Sequence, residues 1–121
     1  MKNMSYAILD GFLTADPESK EIQNGRRITT FSIAINHYSK SIENESGEVS
    51  YIDVETWEKL AENCFEYLKK GNMVTIIGTL KQERWRSQDG SYRQKYKVIA
   101  SSVRFDNFSI KKEEEQKKKV A

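Results

Sequence analysis

The chain has 121 residues, enough for one domain with a single core and little beyond it. Its 20 Lys and Arg against 18 Asp and Glu leave a net charge of +2, so any basic surface must come from segregation of charge. One histidine (His37) and one cysteine (Cys64) exclude an internal disulfide, a zinc site of His/Cys type and a Cys/His nucleophile pair, and the carboxylates show no metal-binding or paired-acid spacing; binding without cofactor or metal, not catalysis, is the expected class.

The N-terminal MKNMSYAILDG lacks the long apolar run of a signal peptide or membrane span, which points to the cytoplasm and to no membrane partner. Ser5 to Thr14 mixes aromatic and aliphatic residues around Gly11, as in a strand that bends or bulges there, and ends at the turn signal Asp16-Pro17. Asn24-Gly25 accepts the positive φ angles of a tight hairpin. After it, Phe31, Ile33 and Ile35 alternate with Thr30, Ser32, Ala34 and Asn36, so Ile28 to Asn36 reads as a strand with one core face. His37 to Ser50 is polar and contains Gly47; it reads as a loop in which Tyr38 and Lys40 stand out.

Alternation resumes in Tyr51 to Trp57, with Ile52, Val54 and Thr56 on the core face and Tyr51, Asp53, Glu55 and Trp57 on the open one. From Glu58 to Lys70 the period becomes helical, with Leu60, Ala61, Cys64, Phe65 and Leu68 three and four apart. Gly71 supplies a stop, and Lys69 and Lys70 suit the negative end of the helix dipole. Met73 to Trp85 is the next strand, with a bulge expected at Gly78. Asp89-Gly90 makes a hairpin turn, and Tyr92 to Phe105 returns. The barrel domain is expected over residues 1–108, and the charged stretch over 109–121 is expected to be a disordered tail.

Three strands, one helix and two strands, in that order, match the five-stranded Greek-key barrel known as the OB-fold, all-β with its helix between strands three and four and an extended hairpin between strands four and five. An SH3-like barrel is the rival, and the full helix weighs against it.

Such a barrel commonly binds across strands two and three and in the loops between strands one and two and between four and five. The stretch KQERWRSQDGSYRQKYK, Lys81 to Lys97, lies on the last hairpin and interleaves aromatics with cations. Unpaired bases need flat π-faces and their phosphates need cations. Trp57, Trp85 and Tyr51 supply the first, with Tyr38 beside them. Arg84, Arg86, Arg93, Lys95, Lys81, Lys40 and Arg27 supply the second. Alternation puts Trp85 on one side of the hairpin with Lys81 and Glu83, and Arg84 and Arg86 on the other; the side that meets ligand is open at this level. Partly buried packing is the plain alternative for either tryptophan, and a solvated surface for each arginine.

YIDVETWEKLAENCFEYLKKG, Tyr51 to Gly71, resembles the signature of the bacterial single-stranded DNA-binding protein family: an aromatic, a short hydrophobic strand, a second aromatic, then KLAE and YLKKG. ILDGFLTADPESKEIQNGRRITTFSIAIN looks like the family's first hairpin, and VTIIGTLKQERWRSQDGSYRQKY like its hairpin between strands four and five, so the resemblance covers roughly residues 4 to 106. It implies an OB-fold homotetramer that wraps single-stranded DNA in replication, recombination and repair, without a cofactor, in the bacterial cytoplasm at the nucleoid. It also implies base stacking by Trp57 and Trp85, with Tyr51 at a further aromatic position and Tyr38 close to another.

Glu55 and Glu58 depart from the apolar or glycine residues usual in the family. The family's flexible linker and acidic Pro-Phe tip, which recruit replication and repair enzymes, have no match in EEEQKKKVA, so recruitment is not carried over. The leading expectation is a sequence-tolerant single-strand binder. A replication-restart adaptor acting mainly through proteins, and an OB-fold enzyme domain or RNA chaperone, stay open as alternatives.

Overall fold

In the computed structural model, residues 2–37 and 47–106 are described. Tyr38, Lys40 and the expected tail over 109–121 lie outside them. The alternating segments form β1 (Ala7–Leu13), β2 (Glu18–Glu21), β3 (Arg27–His37), β4 (Glu48–Trp57), β5 (Met73–Arg86) and β6 (Tyr92–Phe105), and the helical segment forms α1 (Glu58–Tyr67) between β4 and β5. They make one sheet in the order β1-β5-β6-β4-β3-β2, and β1 also pairs with β3 through Phe12 and Leu13, which closes the sheet on itself. The β4–β6 pairing is parallel; every other pairing is antiparallel. No helix among the described residues is long and apolar enough to cross a membrane.

The five expected strands are present, and a short sixth accompanies them. β2, with the sequence ESKE, pairs with the start of β3 from Glu18↔Thr30 to Glu21↔Arg27. It has no apolar alternation to announce it, and what makes it a strand is the free edge of β3. Asn24 and Gly25 take φ of 70° and 72°, supplying the left-handed turn expected of that pair. The loop expected from His37 to Ser50 is shorter, because β3 runs to His37 and β4 starts at Glu48. Polar residues there pair as strands beyond the core, and His37 Nε2 lies 2.8 Å from Ser50 Oγ.

The core joins Leu13, Phe31, Ile33, Val54, Val74, Ile76, Val98 and Ala100 from the strands to Cys64 and Leu68. α1 lies over it, and two buried threonines tie helix to sheet. Thr29 Oγ1 donates to the Ala61 carbonyl and Thr56 Oγ1 to the Thr29 carbonyl, both at 2.8 Å, so neither hydroxyl is left unpaired in the interior. Cys64 is fully buried, and burial pushes its thiol up to about 11.

The helix ends at Tyr67, three residues before the expected Lys70. Leu68 is already extended (φ −94°, ψ 146°), and leaving the helix buries its side chain in the core. Lys69 and Lys70 therefore sit in the following turn, not at the dipole's end. Their N–H groups donate to Asn72 Oδ1 and Asp16 Oδ1 at 2.8 and 2.9 Å, and Gly71, at φ 88°, completes the turn into β5.

Two glycines mark close approaches of backbone. A Cβ at Gly11 would stand 2.6 Å from the Ala34 carbonyl oxygen, where β1 crosses β3, so this glycine serves barrel closure and the β1–β5 pairing runs through it without a bulge. A Cβ at Gly78 would stand 2.2 Å from the Ile99 oxygen. The pairing register does shift at Ile77/Gly78, but the extra residue belongs to β6: Ile77 pairs with Ser102 and Gly78 with Ala100, leaving Ser101 over. That residue reverses the alternation, so Val98 and Ala100 on one side of it and Val103 and Phe105 on the other all turn inward.

Glu58 opens α1 with φ 58°, a left-handed conformation that costs a residue bearing a Cβ roughly 1–2 kcal/mol. Its carboxylate holds Arg26 Nε at 2.7 Å on the exposed surface. Glu58→Gly and Glu58→Ala both remove that ion pair but differ in the backbone they prefer. Glu58→Gly is expected to be the more stable by about 1 kcal/mol, read as the difference in urea midpoints.

Candidate functional site

Cross-strand register decides which side chains share a face. Ile28↔Trp57, Thr30↔Glu55, Ser32↔Asp53 and Ala34↔Tyr51 align β3 with β4. Asp53↔Lys97 aligns β4 with β6, and Lys81↔Lys97, Glu83↔Lys95 and Trp85↔Arg93 align β6 with β5. Since paired residues point to the same side, one continuous outer face carries Tyr51, Trp57, Trp85, Lys81, Arg93, Lys95 and Lys97. A groove of about 530 Å³ opens on this face, floored by β3, β4 and β6 and bounded by the segment from Thr14 to Lys20 and by the hairpin at Glu83 and Lys95.

The aromatics are held differently. Tyr51 is 68% exposed and Trp85 43%, with Lys95 Nζ 5.9 Å from the Trp85 ring centroid. Trp57 is half-buried and fixed from two directions. Its indole Nε1–H donates to Glu55 Oε2 at 2.8 Å, and the Arg26 guanidinium, itself anchored by Glu58, lies 4.6 Å from the ring centroid. A carboxylate on its edge and a cation on its face set the plane of the ring.

The floor is an ion network. Lys97 Nζ donates to Glu55 Oε1 at 2.8 Å and lies 3.7 Å from Glu83, while Lys95 lies 3.5 Å from Asp53 and 3.7 Å from Glu83. The Lys97–Glu55 pair is the sheltered one, with side chains 16% and 12% exposed. Burial pushes the Glu55 carboxyl up, but the hydrogen bonds from Lys97 and Trp57 and the positive charges of Lys97 and Lys81 outweigh it and hold the group below its ordinary range. The Glu55 hydrogen bond in turn raises the Lys97 ammonium against burial. Three carboxylates thus face Lys95 and Lys97, with the charge of Lys81 reaching Glu55, while Asp16 and Glu18 outnumber Lys20 along the rest of the groove's lining.

Of the residues expected from sequence, Tyr51, Trp57, Trp85, Lys81, Arg93 and Lys95 come together on the groove face. Arg84 and Arg86 stand on the opposite face of the hairpin. Arg27 shares the parity of the core-facing Thr29 and Phe31 and lies 3.8 Å from Glu21, away from the groove. Tyr38 and Lys40 are outside the described residues. Sequence reasoning did not find Arg26, whose place over Trp57 depends on the pairing of Ile28 with Trp57. Nor did it find the acidic half of the network, for which alternation put Glu55 on the aromatic face without showing that Lys97 lies beside it.

Residues 4–106 match the model of the single-strand binding protein family. Over 104 residues the chain is 36% identical to the single-stranded DNA-binding protein of Bacillus cereus, covering 84% of this chain and 59% of that one. Over 103 residues it is 36% identical to that of Treponema pallidum, covering 85% and 58%. Single-stranded DNA-binding protein 2 of Chlorobaculum tepidum is 33% identical over 109 residues, covering 88% and 74%. The chain therefore spans about three fifths of the length of the first two relatives. Among solved structures, Plasmodium falciparum SSB in complex with ssDNA superposes with a TM-score of 0.78 at 21% identity, covering 87% of this chain and 96% of that one. The shared fold is the OB-fold expected from the sequence.

The Glu55 carboxyl titrates below its ordinary value of 4.5, so the stability it contributes is present above that pH and lost as pH falls through the folded value. Glu55→Gln is expected to lower stability by about 2 kcal/mol near neutral pH. Urea midpoints measured across the acid range are expected to show this deficit shrinking as pH drops below 4.5, where the wild type loses the same charge.

Proposed function

The chain belongs to the single-strand binding protein family, and from that premise we propose that it binds single-stranded DNA with little sequence preference, as a binding protein and not a catalyst. The observation that carries this reading is the placement of Tyr51, Trp57 and Trp85 on one sheet face beside an open groove. Bases stack on these rings, each worth about 1–3 kcal/mol, and every base has a π-face, so the binding tolerates any sequence. Arg93, which has no ion pair among the described residues, meets phosphate at the groove's edge. Lys95 and Lys97 reach phosphate only by giving up carboxylates, which shifts the balance from phosphate attraction towards stacking.

The role comes with the family resemblance: the protein covers transiently unpaired strands during replication, recombination and repair, in the cytoplasm at the nucleoid. It acts as a homo-oligomer, a homotetramer by family resemblance. What supports assembly is the outer face of β1, where Ile8 is 61% and Phe12 40% exposed, and the edge of β1 before Phe12, which pairs with no further strand among the described residues.

Titration with oligo-dT, followed by tryptophan fluorescence at low and high salt and repeated with duplex DNA, tests the reading. Strong quenching by the single strand and weak duplex binding are expected. Trp85→Ala is expected to weaken oligo-dT binding by about 1–3 kcal/mol, roughly 5- to 150-fold, without unfolding the domain; equal affinity in the variant would remove Trp85 from the site. Glu83→Gln, which removes one of the two carboxylates beside each of Lys95 and Lys97, is expected to tighten binding and steepen its dependence on log salt by about 0.7 for each phosphate gained.

A further inference from the structure

Stacking asks Trp57 for a free face, and its outward face is already covered. The indole reaches back along β4 to donate to Glu55 Oε2 at 2.8 Å, so the ring lies along the sheet with one face turned in and the other turned out. Arg26 precedes β3 in extended backbone (φ −72°, ψ 138°), and alternation puts its side chain on the same side as Ile28, the cross-strand partner of Trp57. From there its guanidinium comes within 4.6 Å of the Trp57 ring centroid. The Arg26 side chain is 54% exposed while Trp57 is half-buried, so the guanidinium is the outer layer and the indole the inner one.

The guanidinium is kept near the ring without being locked to it. Glu58 Oε1 accepts from Nε, at 2.7 Å, and among the described residues the terminal nitrogens of Arg26 have no hydrogen-bonded partner. Those nitrogens carry the forked N–H groups that grip a phosphate through two oxygens. Ion pairs and cation–π contacts at exposed positions are weak, so both give way to a ligand that offers more. Glu58 meanwhile holds φ 58°, which glycine takes freely and a residue with a Cβ does not. A strained carboxylate that tethers a cation beside a stacking ring points to a use in binding, since strain of this kind gathers at functional sites.

We propose that Arg26 is a displaceable cover on Trp57. In the free protein it shields the outward face of the ring; an arriving strand moves it from the ring to a phosphate, and a base takes the place it leaves, with Glu58 as the tether. The inference rests on the reading of the chain as a single-strand binder and adds to it a residue with two alternative partners. Each group in the exchange has a partner of the right chemistry before and after. The face of the indole accepts either a cation or a base, and the guanidinium accepts either a ring or a phosphate. The phosphate contact offsets the cation–π contact given up, and it does so most at low salt, where a phosphate contact releases counterions to the greatest effect.

The test uses the full chain carrying Trp85→Phe, which leaves Trp57 as the only tryptophan, and compares this parent with the same chain carrying Arg26→Ala or Arg26→Lys. In the free protein, Arg26→Ala is expected to raise the quenching of Trp57 by acrylamide, an uncharged probe of the exposed ring. With oligo-dT, its slope of log affinity against log salt is expected to be shallower by about 0.7, the loss of one phosphate contact on a single strand. The two salt curves then cross. At about 0.05 M salt Arg26→Ala binds a few-fold more weakly than the parent, and near 1 M it binds about two- to fivefold more tightly, because no cation has to leave the ring. Arg26→Lys keeps the charge and is expected to restore the parent's slope. Arg26 is exposed, and unchanged thermal midpoints confirm folding. A loss by one factor at every salt concentration would overturn the proposal by making Arg26 a fixed support of the ring. A shallower slope without a crossing would overturn it by leaving Arg26 a phosphate ligand that covers nothing. Unchanged affinity, slope and acrylamide quenching would overturn it outright. Quenching of the wild type by oligo-dT checks the underlying reading independently; a wild type that binds no oligo-dT removes that reading, and this inference with it.

Discussion

Side-chain alternation runs unbroken along β5 from the barrel core to the tip of the hairpin, and the rest of the structure depends on it. Val74 and Ile76 must face inward to build the core, so the even positions that follow, Gln82, Arg84 and Arg86, are committed to the side away from the groove. Trp85 and Lys81 are committed to the groove side by the same rule. β6 obeys it from the other direction: burying Val98 turns Lys97, Lys95 and Arg93 towards the groove. The single extra residue at Ser101 confines the change of parity to the far end, where Val103 and Phe105 need it. Core packing and site geometry are thereby one decision, and a one-residue slip in β5 would exchange the two faces of the hairpin as well as expose the core.

That shared frame has an electrostatic counterpart. The groove holds its lysines in place with carboxylates, which keeps long flexible chains ordered but spends their charge within the protein. Glu55 sits at the centre, since it orients Lys97 through one oxygen and the indole of Trp57 through the other. Arg26 and Glu58 continue the arrangement on the far side of Trp57. Trp57 is therefore preorganised by a hydrogen bond and a cation that are themselves ion-paired, and a ligand that meets it finds that ring already fixed, with less side-chain entropy to lose.

Much of this was legible in the sequence. The period of two in β3 and β4, the period of three to four in α1, and the turn residues Asn24-Gly25 and Asp89-Gly90 located the barrel because each follows from local chemistry. The sharing of one face by Tyr51 and Trp57 followed from alternation, and Trp85 joined them only through the family resemblance. What could not be read is non-local. β2 exists because β3 offers it an edge, and α1 stops at Tyr67 because Leu68 has a core to enter. Arg26 finds Trp57, and Lys97 finds Glu55, through pairings between segments 31 and 42 residues apart. The sidedness of the hairpin needed the position of the core as well as the alternation.

Cys64 carries a consequence of another kind. Its sulfur is sealed beneath α1, and the thiolate is scarce at neutral pH because burial has pushed the thiol up to about 11. A soluble alkylating reagent reaches it only in those molecules whose helix has momentarily lifted from the barrel. The rate of alkylation in the native state is then a clock for local opening, read at a single natural atom and without any label on the groove side.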